Sequence, residues 1–150
     1  MSTIKEIAEQ TIGRIFGEAA FIFTDKLDQS AQPEPDSWDA DGVSLQFKGT
    51  PSGEMRMWVS AGFACYAAAN MLGVDPGSDE ARIKGLDALK ELLNIIVGNF
   101  ITQAYGTALV FDLGIPRALD HAELAADSTH VNSLWLEAED NCILFVVRVD

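Results

Sequence analysis

One stretch of the chain carries side chains at a spacing that could do chemistry: Asp87, Glu91, Asn94 and Gly98. In an α-helix, residues three or four positions apart lie on the same face, so these four would form one stripe. The opposite face would be apolar, formed by Leu86, Leu89, Leu93, Ile96, Val97 and Phe100. Two carboxylates one turn apart repel each other, so helix stability does not explain the stripe. We interpret the stripe as the candidate functional surface of the protein.

The two uncharged members of the stripe are unfavourable for a helix. A mid-helix asparagine costs several tenths of a kcal/mol relative to alanine, and a glycine costs about 1 kcal/mol. Asn94 therefore needs another reason to be there, and close packing of two helices is an alternative reason for Gly98. The alternative for Asp87 and Glu91 is that they are ordinary solvated acids.

Length and charge limit what this surface can bind. The chain has 150 residues, of which 48% are hydrophobic, so we expect one folded domain with a substantial core. Its net charge of -13 argues against nucleic acid or an anionic membrane as the main partner. It favours a partner with positive charge, or a cation, although acidity can also serve solubility alone.

Other familiar sites are missing from the sequence. There is no Gly-x-Ser-x-Gly elbow, no P-loop and no Rossmann glycine fingerprint, so acyl transfer and nucleotide chemistry find no support. His121 and His130 have no cysteine or aspartate at ligand spacing, which argues against zinc. Asp87 and Glu91 could hold magnesium, but two carboxylates alone rarely make such a site.

Nothing in the sequence predicts export or membrane insertion. The first residues lack the basic start and apolar run of a signal peptide, and no apolar run approaches the roughly 20 residues needed to span a bilayer. Cys65 and Cys142 stand in apolar contexts and are predicted to be buried thiols. We expect a cytoplasmic protein.

Hydrophobic periodicity predicts the elements of the first half. A helix is expected from Thr3 to about Leu27, followed by an acidic, proline-containing loop. Residues 43–48 and 54–61 alternate apolar and polar residues across a Pro-Ser-Gly turn, which predicts an antiparallel hairpin of half-buried strands. A short alanine-rich helix should follow over residues 62–72.

The second half begins with the helix that carries the stripe, expected from Asp79 to Tyr105. A β-rich apolar run over residues 107–113 is predicted to be a strand, and residues 117–130 could form a short helix or a loop. Residues 131–138 and 142–149 should form a second hairpin. This order indicates an α+β domain with long helices packed on a mostly antiparallel sheet.

These features together resemble a known family. Asp87-x3-Glu91-x2-Asn94, with Pro116 after the next predicted strand, is similar to the signature of the CheC/CheX/FliY phosphatases of bacterial chemotaxis. The order of the surrounding elements also resembles this family: an alanine-rich helix before the motif, a strand ending in Leu-Gly-Ile-Pro, and a terminal hairpin. A single motif in about 150 residues most resembles the CheX-like branch. The interval from Asn94 to Pro116 is one residue shorter than in CheC.

The resemblance implies a function and roles for the stripe. Family members remove phosphate from the aspartyl-phosphate of CheY-like response regulators. By this resemblance, Asn94 would position the attacking water and Glu91 would pair with the active-site lysine of the regulator. Asp87 would be a supporting contact or a helix-stabilising residue, and Gly98 would let the partner backbone come close. No cofactor would be bound by this chain, and Mg²⁺ would belong to the response regulator.

The resemblance also implies a homodimer and leaves two other functions open. A non-catalytic binding module could recognise a response regulator or a flagellar switch protein through the same acidic helix. A metal-dependent hydrolase could use Asp87 and Glu91 as ligands. Taken by itself, Pro116 is expected to do no more than end a strand.

Overall fold

The computed structural model describes residues 2–150. Within them the helices are α1 Ile4–Ala20, α2 Phe63–Leu72, α3 Asp79–Tyr105 and α4 Leu124–Ser128. The strands are β1 Asp25–Lys26, β2 Ala40–Lys48, β3 Gly53–Ser60, β4 Asp112–Leu113, β5 Arg117–Ala118, β6 Ser133–Ala138 and β7 Asn141–Val149. Short 3-10 turns occupy Gln29–Ala31, Pro35–Ser37 and His121–Glu123.

All the strands belong to one antiparallel sheet, in the order β1-β6-β7-β3-β2-β4, and β5 also pairs with β2. Both predicted hairpins, β2–β3 and β6–β7, are confirmed. The second one turns at Glu139 and Asp140, which both have positive φ. The predicted α+β class, with long helices on a mostly antiparallel sheet, is confirmed.

The main core lies between α1, α2 and α3 and one face of the sheet. Because side chains alternate along a strand, every second residue of β2 faces the helices: Val43, Leu45 and Phe47 are all buried there. Aromatic rings from the helices meet the sheet, with Phe16 against Phe145 at 6.1 Å between ring centroids. The core thus fixes the helices as a layer above the strands.

The other face of the sheet is also covered, which the sequence analysis did not predict. The segment from β5 to α4, residues 117–128, lies across it and is called here the strap. Its apolar contacts form a second cluster of Trp38, Trp58, Leu124, Leu144 and Val146. Strands expected to be half-buried are therefore enclosed on both faces, and Ser44 and Glu54 are buried although they point away from the main core.

Charges hold the strap to the sheet. The Arg56 guanidinium contacts Glu54 at 3.1 Å, and it contacts Glu123 and Asp127 of the strap, each at 3.2 Å. Burial alone would raise the pKa of Glu54, but the Ser44 hydroxyl donates to it and the charges of Arg56 and Arg148 surround it. Together these contacts hold the pKa of Glu54 below its ordinary value.

The first helix is shorter than predicted. It ends at Ala20, where Phe21 adopts a left-handed conformation (φ 55°) and the Ile22 amide donates to the Phe16 carbonyl at 3.0 Å. The chain then turns to bring β1 to the edge of β6. The predicted continuation to Leu27 is wrong, and Phe23, which lies in that continuation, is 82% exposed.

Three other expectations are corrected. In residues 107–113 only Asp112–Leu113 is a strand, because only these two residues pair with β2, and the apolar side chains of Leu109 and Val110 before them are exposed. Leu86, assigned to the apolar face of the stripe helix, is 41% exposed. Cys65 and Cys142 are free thiols but only partly buried. Among the described residues no helix is both long and apolar enough to cross a membrane.

Candidate catalytic surface on helix α3

Helix α3 has well-defined ends that match the prediction. Ser78 caps its start, since its side chain accepts a hydrogen bond from the Ala81 amide at 3.2 Å, and Asp79 in the first turn suits the positive end of the helix dipole. Gly106, with φ 78°, ends it. The four residues of the stripe therefore lie on one uninterrupted helix.

The buried side of α3 is fixed against two other helices. Gly85 lets α2 come close, because a Cβ added there would lie 3.2 Å from the Cβ of Ala64. On the other side the Arg14 guanidinium of α1 donates to the Asn99 amide oxygen at 3.1 Å. Leu89 and Ile96 fill the core beneath. The outward side of α3 is consequently presented on a rigid support.

The stripe residues lie where the sequence placed them. Asp87, Glu91 and Asn94 are exposed, and Gly98 is half-buried on the same side of α3. From Asp87 to Gly98 the helix rises about 16 Å. Within residues 2–150 the side chains of Asp87, Glu91 and Asn94 make no hydrogen bond or ion pair, whereas Asp79 on the same helix pairs with Arg82. All three polar groups are thus available to a partner.

Asn94 contrasts with its neighbour Asn99. The Asn99 amide nitrogen donates to the Ile95 carbonyl at 2.8 Å and its oxygen accepts from Arg14, so its place in the helix has a structural reason. Asn94 has no such contact among the described residues. Its unfavourable helix propensity is therefore not offset by an interaction within the chain.

Gly98 is not needed for helix packing. A Cβ added at Gly98 would meet no atom within 4 Å outside its own helix backbone, in contrast to Gly85. Its φ is also not in the left-handed region, so backbone conformation does not require glycine. The packing alternative from the sequence analysis is therefore wrong for Gly98.

A shallow groove of about 310 Å³ adjoins the stripe at Gly98. It lies between the end of α3 and the segment Gly106–Leu113, and its lining includes Thr102 and Leu109. The Phe111 ring anchors this segment, with its centroid 5.7 Å from Tyr105 and 6.2 Å from Phe47. The lining mixes apolar side chains such as Leu109 and Phe111 with Thr102 and Thr107, so the groove adds some apolar surface beside the polar stripe.

Pro116 is half-buried between the two short strands β4 and β5 that pair with β2. Just before it, the Gly114 amide donates to the Gln46 carbonyl at 2.7 Å. This position fits the simple role of ending a strand.

A second hollow lies away from the stripe. This hollow, of about 320 Å³, is bordered by Lys5, Lys26 and Trp135, and none of its lining residues belongs to α3. Throughout residues 2–150, no group of three or more histidine, cysteine or acidic side chains is placed to hold a metal ion. Asp87 and Glu91 thus have no third ligand of these types.

Comparison with protein families gives a clear match. A family model described as chemotaxis phosphatase CheX matches residues 42–139, which include most of β2 and the whole of α3 and β6. The chain belongs to the CheX family. CheX proteins are thus its relatives at the level of family, and the family is one of chemotaxis phosphatases. A search of curated proteins found no match.

Solved structures agree with this membership at the level of fold. A CheX from Borrelia burgdorferi, crystallised as a CheX-CheY-BeF3-Mg²⁺ complex, is 17% identical, with 98% of this chain and 97% of that chain covered and a TM-score of 0.70. The CheX of Vibrio vulnificus is 14% identical, with both chains fully covered and a TM-score of 0.72. Thermotoga maritima FliY is 12% identical, covering 95% of this chain and 85% of that one, with a TM-score of 0.53.

Proposed function

We propose that this CheX-family protein hydrolyses the aspartyl-phosphate of a CheY-like response regulator. The observation that carries the proposal is the pair Glu91 and Asn94, which stand exposed one turn apart on a rigid helix and have no partner among the described residues. Family membership supports a phosphatase, and the Borrelia CheX was crystallised with CheY. We further propose that the protein acts as a homodimer.

The reaction needs little from this chain. Water attacks phosphorus in line, the bond between phosphorus and the aspartyl oxygen breaks, and the products are inorganic phosphate and the free carboxylate. An amide suits the positioning of that water, because it can accept from the water and donate to the phosphoryl group without titrating. Asn94 would have this role, and the support of α3 would fix its position.

Glu91 would bind the partner by a charge-assisted contact with the active-site lysine of the regulator. Because it lies one turn before Asn94, this contact would set the register of the amide over the phosphoryl group. Asp87 would add a supporting contact. Mg²⁺ would be held by the regulator, a placement supported by the Borrelia CheX, which was crystallised as a CheX-CheY-BeF3-Mg²⁺ complex.

Gly98 would let the backbone of the regulator approach α3. The space above it supports this role, because a Cβ would project there without contacting any other part of the chain. A methyl group at this position would occupy volume that the partner needs.

The test measures phosphate release from a phosphorylated CheY-like regulator in the presence of magnesium. We expect the wild type to accelerate release and Asn94→Ala to lower kcat about 100-fold, since positioning and electrostatic effects of single groups have this size. Gln103→Ala is the matched control, because it removes an exposed amide from the same helix outside the stripe. Equal activity of Asn94→Ala and wild type would contradict the role of Asn94.

The same experiment separates the main alternative, a non-catalytic binding module. That protein would bind the regulator without changing the lifetime of its phosphate, and Glu91→Ala would weaken the complex while Asn94→Ala had no effect on turnover. Calorimetric titration of the isolated protein with magnesium addresses the metal-dependent hydrolase, which requires binding by Asp87 and Glu91.

A further inference from the structure

A basic residue, Lys90, lies beside the stripe on α3. Lys90 lies three residues after Asp87 and four before Asn94, so on α3 it adjoins both. Side chains at this spacing have Cβ atoms about 5–6 Å apart. The candidate surface therefore combines two carboxylates, an amide and one ammonium group.

Lys90 differs from the other basic residues of the chain. Six of the ten form ion pairs: Arg14, Lys26, Arg56, Arg82, Arg117 and Arg148. Lys5, Lys48, Lys84 and Lys90 form none within the described residues, and of these four lysines only Lys90 is half-buried. Its side chain is thus partly enclosed without a carboxylate within 4 Å.

The missing contact with Asp87 is informative. A lysine three residues after an aspartate on a helix has the usual spacing for a surface ion pair, as Asp79 and Arg82 show with a separation of 2.8 Å on the same helix. Lys90 and Asp87 do not form it. Both charges therefore remain available for groups outside the chain.

The proposed substrate also presents negative charge to this surface. An aspartyl-phosphate is anionic, and magnesium beside it is held by oxygen ligands that include carboxylates. Asp87 and Glu91 alone would oppose its approach, in a chain whose net charge is already -13. The ammonium group of Lys90, one turn before Asn94 on α3, would offset this repulsion near the phosphoryl group.

We propose that Lys90 is an electrostatic recognition residue of the phosphatase surface, which meets the anionic phosphoryl and carboxylate groups of the regulator beside Asn94. The proposal rests on the proposed function. Its role is to attract and hold the substrate, so it acts on KM and on the dependence of KM on salt. Glu91, by contrast, would pair with the positively charged active-site lysine of the regulator.

Three substitutions test the role of charge at this site. Lys90→Met keeps most of the half-buried stem and removes the ammonium group, and Lys90→Arg keeps the charge. Lys84→Met is the matched control, because this exposed lysine lies on the same helix about 15 Å before Asn94. Each variant is assayed with a regulator phosphorylated by acetyl phosphate, at low and high ionic strength.

We expect Lys90→Met to raise KM about fivefold at low salt with kcat unchanged, and the difference from wild type to shrink at high salt. Lys90→Arg should stay near wild type, and so should Lys84→Met. Wild-type kinetics of Lys90→Met at both salt concentrations would overturn the proposal. A defect of Lys90→Met that is independent of salt, or one that Lys90→Arg shares, would assign Lys90 to packing and overturn it too.

Failure of the proposed function gives a different result. If the wild type does not accelerate phosphate loss, the phosphatase assignment fails whatever happens at Lys90. The affinity for a regulator loaded with beryllofluoride and magnesium then tests Lys90 separately. Weaker binding by Lys90→Met at low salt, with Lys90→Arg unaffected, would retain the recognition role, and equal binding would remove it.

Discussion

At the scale of single residues, the same residue type serves different purposes on α3. Gly85 and Asn99 are explained by contacts inside the chain, the first by its approach to Ala64 and the second by its hydrogen bonds. Gly98 and Asn94 have no such contacts among the described residues. Some residues weaken a helix and make no contact inside the chain that compensates for it. Such residues are expected at a functional surface.

Gly98 allows a prediction in which stability and activity change in opposite directions. Gly98→Ala should raise the free energy of unfolding by about 0.5–1 kcal/mol, because alanine favours the helix and the added Cβ meets nothing. The same change should lower phosphatase activity by obstructing the partner. Urea denaturation and phosphate release measure the two effects.

Gly17 provides the control for this prediction. It lies in α1, and a Cβ there also meets no atom within 4 Å. Gly17→Ala should therefore stabilise the protein to a similar extent and leave activity unchanged. Full activity of Gly98→Ala would show that the partner does not approach the helix at this point.

At the scale of elements, the strap and the sheet are joined by a group of charges around the buried Glu54, and its outer members Arg117 and Arg148 are about half exposed. Glu54 is the most buried member, with Arg56 and Arg148 at 3.1 Å and the Ser44 hydroxyl as a donor. Removing one partner of a buried ion pair leaves the other without compensation. The strap should therefore depend on Glu54 being ionised.

We expect Glu54→Gln to lower the free energy of unfolding at pH 7 by about 3 kcal/mol. The pKa of Glu54 is lowered in the folded protein from an ordinary value of 4.5. Its contribution is therefore fully present above pH 4.5 and is lost as the pH falls through the lower folded value. The difference between variant and wild type should shrink over that acidic range.

Urea denaturation at neutral and acidic pH measures this effect, and Glu137→Gln, which removes an exposed carboxylate from β6, is the control. A difference that stays constant as the solution is acidified would mean that the shape of the side chain matters and its charge does not.

At the scale of the whole molecule, the distribution of apolar surface is uneven. The segment between α3 and β5 exposes Val110 (85%) and Ile115 (91%), together with parts of Leu109 and Leu113. These side chains lie beside the outer edge of the sheet, where β4 and β5 pair only briefly with β2. A cluster of exposed apolar side chains on a soluble surface indicates a contact with another protein.

We expect this segment to form the contact of the proposed homodimer. Light scattering should give a mass of twice 16.2 kDa for the wild type, and Val110→Asp with Ile115→Asp should give the mass of one chain. Because both side chains are exposed, the changes should not prevent folding.

Val131→Asp is the control, since Val131 is 82% exposed in a different segment. A dimer that persists in the double variant would exclude this segment as the contact between chains. If the variant loses affinity for the regulator but keeps its mass, the segment belongs to regulator binding.

Features that depend on local periodicity could be predicted from the sequence. It predicted the bounds of α3, both hairpins, and the stripe of Asp87, Glu91, Asn94 and Gly98, because helix and strand repeats fix which residues share a face. The resemblance carried by that stripe led to the family that the comparison confirmed. The catalytic roles of Glu91 and Asn94 stay predictions.

Features that depend on contacts between distant parts of the chain could not be predicted from the sequence and were found only in the tertiary structure. The end of α1 at Ala20 follows from the turn that brings β1 to β6, and the burial of Ser44 and Glu54 follows from the strap that crosses the sheet. The surroundings of the stripe on α3 also depend on distant contacts. Periodicity placed Gly98 on it, but the space above Gly98 and the unpaired state of Lys90 depend on which neighbours pack nearby, and a pattern in one helix does not contain that information.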